Sequence, residues 1–304
     1  MTIPPVSLTR AAADPEGFAR ELGASFERYG FAVLSDHGLP QSVIGQADLT
    51  ARALFALPDA AKRRYIVPDG AGQRGYTPFG VETAKGATRH DLKEFWHVGR
   101  EPAPAGLAPN VWPDEPESFR DAQLTLYAEL DALGRRLLQA VAQHLRLDPG
   151  FLDEAVREGD SILRLLHYPP VTGDTGHIRA GAHEDIDVLT LLLGAEETGL
   201  ELMDRDGRWL AVSPPPGCIV VNIGDMLQRL TNGVLPSTPH RVVNPAPERR
   251  GVAHYSTPFF LHFAPDYLIR TLPECVGPER PDRHPEPITA GAFLRERLRA
   301  IGLA

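Results

Sequence analysis

From about residue 160 onward, the sequence is a succession of short apolar runs separated by turn residues. The run at 161–168 is closed by two prolines, and the run at 188–193 consists of valine, leucine and threonine. Runs of this length and spacing predict the strands of a β-sandwich or barrel. A turn at Asp204-Arg-Asp206-Gly207 predicts a hairpin. Further strands are predicted at 200–203, 208–212, 218–223, 240–243 and 252–263.

The first half of the chain is dominated by helical patterns. Asp14-Pro15-Glu16 combines an N-cap acceptor, a proline at the first helical position and an acid in the first turn, which predicts a helix start. The other elements predicted in this half are a strand at 30–35, helices at 41–57 and 118–147, and a loop-rich region at 70–99. In the second half, helices are predicted at 225–230 and at 289–301, and the last one is capped by Thr289. We therefore expect a mostly helical N-terminal region over 1–155 and a β core with a C-terminal helix over 156–304.

The stretch from Arg179 to Asp185 precedes a predicted strand and has the residue types of a metal site. If this stretch is extended, His183 and Asp185 face the same way, because side chains alternate along a strand. A second histidine would complete a facial triad of two histidines and one carboxylate, which leaves positions open on Fe(II) for substrate and oxygen. His240, at the start of another predicted strand, is the candidate.

Other polar residues near this stretch are weaker candidates for metal ligands. Glu184 should face away from His183, and Asp187 lies one strand step further along the same face, so Asp185 is preferred. His177 lies in a loop before the strand, where a solvated histidine is the commoner case. Structural roles are expected for Asp225, His37 and Asn222.

The composition bounds the class of protein. A chain of 304 residues with 42% hydrophobic and 23% charged residues is typical of a folded globular protein. A formal net charge of −9 argues against nucleic acid or an anionic membrane as the main partner. The chain has no apolar run long enough to cross a bilayer and no N-terminal secretory pattern. Its only cysteines, Cys218 and Cys275, indicate a reducing cytoplasm rather than a disulfide framework.

Several motifs occur in an order that is similar to that of one known family. The segment 182–185, followed by Leu-Thr-Leu-Leu at 189–192, resembles the family's HTD…LTLL motif, and 222–225 is identical to its NIGD motif. Similar segments also occur at 30–38, 74–76, 91–95, 240–243 and 255–260. The chain therefore resembles the Fe(II)- and 2-oxoglutarate-dependent dioxygenases, in the branch that includes isopenicillin N synthase and plant flavonoid and gibberellin oxidases.

This resemblance implies an α+β fold with a mainly β core, in which helices pack outside a double-stranded β-helix (jelly roll). It also implies metal ligands at His183, Asp185 and His240. With Fe(II) and O2, 2-oxoglutarate would be converted to succinate and carbon dioxide, and this reaction would drive hydroxylation or desaturation of a small organic molecule. The resemblance identifies neither the substrate nor the oligomeric state.

One triplet departs from the family pattern. Relatives anchor the distal carboxylate of 2-oxoglutarate with the Arg and Ser of an R-x-S motif, whereas this chain has His254-Tyr255-Ser256. Leu166 also stands where plant members often have asparagine. Histidine is a weaker, pH-dependent donor than arginine, which has a permanent charge and a bidentate fork.

Three interpretations of this change remain open. His254 binds the carboxylate as imidazolium beside Ser256 and Tyr168, or the site uses no 2-oxoglutarate, as in isopenicillin N synthase. In the third interpretation a nearby arginine supplies the charge, for which the candidates are Arg164, Arg241 and Arg250. We favour use of 2-oxoglutarate, because a buried carboxylate needs only a satisfied partner.

A non-enzymatic β-helix binding protein is the remaining alternative, although a binding module has no need of an open metal site. Phe79, Trp96 and Arg100 are candidates to contact a substrate, but packing or solvation is the expected role of each. Phe259 and Phe260 are adjacent on a predicted strand, so at most one of them faces a pocket.

Overall fold

A computed structural model of the chain describes residues 3–68, 72–81, 90–170, 178–195 and 199–300. Within these ranges the helices are α1 (Arg10–Ala13), α2 (Pro15–Tyr29), α3 (Gln41–Phe55), α4 (Asp59–Arg63), α5 (Phe119–His144), α6 (Asp153–Arg157), α7 (Asp225–Leu230) and α8 (Ala290–Ala300). The strands are β1 (Pro5–Ser7), β2 (Phe31–Ser35), β3 (Gly75–Thr77), β4 (Glu94–Gly99), β5 (Ile162–Tyr168), β6 (Ala180–His183), β7 (Leu189–Leu193), β8 (Leu200–Met203), β9 (Trp209–Ala211), β10 (Ile219–Ile223), β11 (His240–Val242), β12 (His254–Leu261), β13 (Leu268–Ile269) and β14 (Ile288–Thr289).

Two sheets face each other to form a double-stranded β-helix. Eight strands form the large sheet in the order β1-β2-β10-β7-β12-β5-β4-β3, and four form the small sheet in the order β6-β11-β8-β9. Phe31 and Val220 of the large sheet pack in one buried cluster with Leu200 and Leu202 of the small sheet. Every second side chain of these strands therefore faces the space between the sheets. The expected fold, a mainly β core flanked by helices, is confirmed.

Helices cover the outer face of the large sheet. The apolar stripe of α5 is buried and packs in the main core with side chains of β7 and β12; it includes Leu126, Leu130, Leu133 and Leu137. Gly134 permits close approach, because a Cβ at this position would lie 3.1 Å from Cδ2 of Leu261. Each fully buried leucine of this stripe contributes on the order of 1.5–3 kcal/mol. The site described below lies between the opposite, inner face of this sheet and the small sheet.

The predicted hairpin and final helix are both confirmed. β8 and β9 pair antiparallel, with Glu201 opposite Ala211. Helix α8 follows its predicted cap, because the hydroxyl of Thr289 accepts a hydrogen bond of 3.3 Å from the backbone N–H of Ala292. Across the described ranges, none of the helices is both long and apolar enough to cross a membrane.

The prediction of a loop-rich region at 70–99 was wrong where β3 and β4 lie. All six residues of β4 are buried, so this strand lacks the polar alternation that would have revealed it. β4 pairs with β5, and β2 pairs with β10, so strands of the N-terminal half complete the large sheet. Residues 82–89 lie outside the described residues, and the division of the sequence at 155/156 stays a prediction.

Candidate metal centre and cosubstrate pocket

Three potential metal ligands converge at one end of the small sheet. β6 and β11 pair antiparallel with His183 directly opposite His240. The Nε2 atoms of these histidines lie 3.7 Å from Oδ1 and Oδ2 of Asp185, respectively. One donor atom from each of the three residues lies within 4.8 Å of the others. Asp185 reaches the cluster from the loop after β6, because the strand ends at His183. The strand condition is therefore not met at Asp185, but the expected convergence of the two side chains is found.

Backbone carbonyls orient both imidazoles. Nδ1 of His183 lies 2.8 Å from the carbonyl oxygen of Gly181, and Nδ1 of His240 lies 3.1 Å from that of Thr238. A carbonyl oxygen only accepts, so each Nδ1 carries the hydrogen and each Nε2 presents its lone pair to the cluster. The side chain of His183 is 37% exposed, yet the protein packed around its ring, and His240 next to it, lower its pKa to about 4. The neutral imidazole is the form that binds metal.

Two donors hold the carboxylate of Asp185. The hydroxyl of Thr190 donates to Oδ2 at 2.5 Å, and the side-chain amide of Asn222 donates to the same oxygen at 2.8 Å. Burial acts to raise the pKa of Asp185, but the two imidazoles and these donors outweigh it and hold the pKa below its ordinary value. Asn222, predicted to be structural, thus contacts a candidate ligand directly. Its pairing with Thr190 across β10 and β7 is the feature that brings both donors to this position.

Asp187 is buried beside the cluster but is not one of its converging donors. Its Oδ2 shares the hydroxyl of Thr190, at 3.0 Å. Burial, together with the neighbouring charge of Asp185, raises the pKa of Asp187 well above its ordinary value. A neutral carboxylic acid is a poor metal ligand, so Asp185 is the stronger candidate, as the sequence predicted.

The remaining rival carboxylates are engaged elsewhere. Arg297 of α8 lies 3.6 Å from Glu184 and donates a short hydrogen bond to Asp225. Burial raises the pKa of Asp225 despite this partner. The backbone N–H of Asp225 donates to the carbonyl oxygen of Asp185 at 2.8 Å, so this residue shapes the loop of the candidate ligand. His177 lies outside the described residues.

Candidate cosubstrate residues lie together on the inner face of the large sheet. Tyr168 of β5 pairs with His254 of β12, and their rings stack with centroids 5.5 Å apart at an interplanar angle of 23°. Ser256 lies two residues further along β12, opposite Leu166, and therefore on the same face as His254. Tyr168 and Leu166 pack with Phe95 in a small cluster that is separate from the main core.

The structure distinguishes the arginines near this pocket. Arg241 lies on the outer face of the small sheet, where it pairs with Glu201 at 2.7 Å. Arg164 faces inward between two aromatic rings, and its Nε donates to His97 at 2.6 Å. Arg250 is half-buried ahead of β12. A fourth arginine was not among the sequence candidates: Arg179 is 2% exposed, and its guanidinium carbon lies 5.6 Å from the ring centroid of Tyr168.

Of the adjacent residues Phe259 and Phe260, only one faces inward, and Trp96 and Arg100 have the packing roles that were expected. Phe259 is fully buried in the core, whereas the ring of Phe260 lies 5.2 Å from the guanidinium of Arg164. Trp96 is fully buried, and Arg100 pairs with an aspartate of α5 at 2.8 Å. These contacts are structural packing, and Phe260 alone of this group lies beside an inward-facing charge.

Two family models match most of the chain. The model described as non-haem dioxygenase in morphine synthesis N-terminal matches residues 3–115, and that of the 2OG-Fe(II) oxygenase superfamily matches residues 159–263. Proline hydroxylase buaE of Petromyces alliaceus is 33% identical over 310 residues, which span 96% of this chain and 95% of the relative. The chain belongs to the 2OG-Fe(II) oxygenases.

Solved structures of this superfamily share the whole fold. A crystal structure assigned to the 2OG-Fe(II) oxygenase family, from Caulobacter crescentus, is 59% identical with a TM-score of 0.92, over 98% of this chain and 99% of that chain. A full-length Neurospora crassa protein, crystallised in complex with alpha-KG, is 29% identical with a TM-score of 0.89, over 98% of this chain and 96% of that chain. The cluster of His183, Asp185 and His240 fits the iron of such an oxygenase, because the donor atoms of two imidazoles and one carboxylate converge within 4.8 Å.

Proposed function

We propose that the protein is a non-haem Fe(II) oxygenase that couples oxidative decarboxylation of 2-oxoglutarate to hydroxylation or desaturation of a small organic molecule, with O2 as the oxidant. The observation that carries this proposal is the convergence of donor atoms from His183, Asp185 and His240 within 4.8 Å. Membership of the 2OG-Fe(II) oxygenases supports the same conclusion.

In this proposal, three side chains form a preorganised metal-binding site. His183 and His240 present neutral Nε2 atoms because the carbonyls of Gly181 and Thr238 hold their Nδ1 hydrogens. Asp185 contributes the one negative charge, steadied by its two donors. When bound, Fe(II) supplies the electron transfer and oxygen chemistry that no amino-acid side chain provides.

We propose that 2-oxoglutarate binds between this metal-binding site and the pocket wall formed by Tyr168, His254 and Ser256. The complex of the Neurospora crassa protein with alpha-KG, the same dicarboxylate, supports this cosubstrate. The wall next to it presents Phe95, Arg164 and Phe260, in which the guanidinium lies 4.3 and 5.2 Å from the two ring centroids. Such a wall suits a substrate with a flat apolar part and a hydrogen-bond acceptor.

We infer a cytoplasmic enzyme of the isopenicillin N synthase-like branch. Cys218 and Cys275 are both buried and free, as expected in a reducing compartment. A net charge of −9 supports a small-molecule substrate rather than nucleic acid or an anionic membrane. The order of the motifs from residue 30 to residue 260 supports the branch.

The test is turnover of the Fe(II)-loaded protein with 2-oxoglutarate and O2 against pools of small molecules. We expect succinate to form in proportion to O2 consumed, and we expect none from the Asp185→Ala variant. Substrate-dependent O2 uptake without any need for 2-oxoglutarate would instead identify an oxidase of the isopenicillin N synthase kind. Ligand binding that survives His183→Ala, with no turnover in the unaltered protein, would identify a binding protein.

A further inference from the structure

We propose that Arg179 supplies the fixed positive charge that anchors the distal carboxylate of 2-oxoglutarate, since this chain has His254 at the position of the arginine of the R-x-S motif. The proposal rests on the use of 2-oxoglutarate proposed above and specifies how this chain binds it. In this arrangement Tyr168 and Ser256 are neutral donors, and the ring of His254 packs beside Tyr168.

The contact between Arg179 and Tyr168 places the guanidinium beside the residues proposed to bind the distal carboxylate. Its carbon lies 5.6 Å from the ring centroid of Tyr168, and the ring of His254 lies 5.5 Å from the same centroid. Arg179 is 2% exposed, Tyr168 3% and His254 8%. Hydrogen bonds between a guanidinium and a carboxylate are strong in such a shielded place, because water screens them little.

Arg179 also connects the two sheets. It directly precedes β6 and lies four residues before His183, whereas Tyr168 belongs to the large sheet. The segment that carries the candidate metal ligand therefore also carries a cation toward the far wall of the pocket. A cosubstrate that chelates the metal through its oxo-acid end would extend from one of these residues toward the other.

The backbone on both sides of Arg179 is fixed by the segment before β4. The N–H of Leu92 donates to the carbonyl oxygen of Ile178 at 3.4 Å, and the N–H of Gly181 donates to Oδ1 of Asp91 at 3.0 Å. Asp91 in turn pairs with Lys93 at 2.9 Å. These contacts preorganise the position of Arg179, so less conformational freedom is lost when an anion binds.

Two of the other arginine candidates, Arg241 and Arg164, are less well placed. Arg241 is turned to the outer face by its pairing with Glu201. Arg164 faces inward but lies four residues before Tyr168 on β5, which is about 13 Å at roughly 3.3 Å per residue. Arg179 contacts Tyr168 directly, and it differs from His254 in that its charge does not depend on pH.

The experiment compares two oxo acids in anaerobic titrations of the Fe(II) protein, followed by visible absorption. 2-Oxoglutarate and 2-oxopentanoate share the chelating end and chain length, but the second has a methyl group in place of the distal carboxylate. We expect Arg179→Gln to bind 2-oxoglutarate about 10- to 100-fold more weakly, the range of a charged hydrogen bond. Affinity for 2-oxopentanoate should stay unchanged. Arg241→Gln, the same substitution on the outer face, should change neither affinity.

Each other outcome assigns the anchor to another residue, gives Arg179 a structural role or excludes 2-oxoglutarate as the cosubstrate. A preference for 2-oxoglutarate that persists in Arg179→Gln but is lost in His254→Gln assigns the anchor to the imidazole. If the iron-loaded Arg179→Gln protein loses affinity for both oxo acids equally, Arg179 has a structural role. Failure of the unaltered Fe(II) protein to bind 2-oxoglutarate overturns the proposed function itself. If Arg179→Gln does not fold, Arg179→Lys is titrated instead, and it should lose only part of the preference because charge remains without the fork.

Discussion

The two ends of the pocket between the sheets have opposite electrostatic character. The metal end holds the ionised carboxylate of Asp185 beside the buried carboxyl groups of Asp187 and Asp225, whose pKa values are raised, whereas the cosubstrate end holds the guanidinium of Arg179. A divalent cation suits the first environment, and a dicarboxylate suits the second. The pocket is therefore polarised along its length, with the negative charge of Asp185 at one end and the positive charge of Arg179 at the other.

The largest effect should come from removing the carboxylate at the metal end. Asp185→Ala deletes the only charged member of the candidate triad and leaves the two imidazoles without an anionic partner. We expect Fe(II) affinity to fall by at least about 100-fold, since changes in the outer shell alone commonly cost 10- to 100-fold. Calorimetric titration of the anaerobic apoprotein measures it.

The matched control for this variant is the preceding residue. Glu184→Gln alters a partly exposed side chain that contacts Arg297, so Fe(II) affinity should stay within about twofold of the unaltered protein, as expected for surface changes of at most ~0.5 kcal/mol. An equal loss of Fe(II) affinity in both variants would show that the conformation of the loop, rather than the carboxylate of Asp185, determines metal binding.

The next effect concerns stability behind the cosubstrate end. The buried carboxylate of Glu94 accepts hydrogen bonds from Lys62 at 2.7 Å and from Tyr76, and it lies 2.7 Å from Nδ1 of His167, the neighbour of Tyr168. Glu94→Gln breaks this buried ion pair and should lower the free energy of unfolding by about 3–5 kcal/mol. Urea denaturation at neutral pH measures the loss.

This network also gives a pH dependence. Burial acts to raise the pKa of Glu94, but His167, Lys62 and Tyr76 outweigh it and lower the pKa below that of an unfolded glutamate. The unfolded chain therefore takes up the proton first, and the stability from Glu94 is complete above the unfolded pKa and is lost as pH falls through the folded pKa. Denaturation curves of Glu94→Gln should show less acid dependence below about pH 4.5. Parallel pH profiles for the two proteins would contradict this.

A smaller effect should follow from removing one donor to the candidate ligand. Asn222→Ala leaves Thr190 as the remaining side-chain donor to Oδ2 of Asp185. Fe(II) affinity should fall about 10- to 100-fold, while binding of 2-oxopentanoate to the iron-saturated protein should be retained. Competition with a metal chelator measures the affinity, and an unchanged value would show that Asn222 does not support metal binding.

The smallest effect should be at the neutral donor of the cosubstrate end. Ser256→Ala removes a hydroxyl, and one neutral hydrogen bond contributes about 0.5–1.5 kcal/mol, so 2-oxoglutarate should bind about 2- to 13-fold more weakly. Fe(II) affinity should be unaffected. A change in iron affinity as large as that for 2-oxoglutarate would mean that the two ends are not separable.

The metal end could be predicted from the sequence because its information is local. His183 and Asp185 are two residues apart, and His240 lies at the start of a recognisable strand. The contact of Arg179 with Tyr168 could not be predicted, because it joins two sheets and depends on how they pack. β4 was missed for a related reason, since a strand buried on both faces has no alternation to read.

If Fe(II) and 2-oxoglutarate bind together at the triad, a single anaerobic titration shows it. Addition of 2-oxoglutarate to the Fe(II) protein should produce a saturable charge-transfer absorption with one equivalent bound per iron, and Asp185→Ala should show none. No new absorption at any concentration, or the same absorption in Asp185→Ala, would contradict the account.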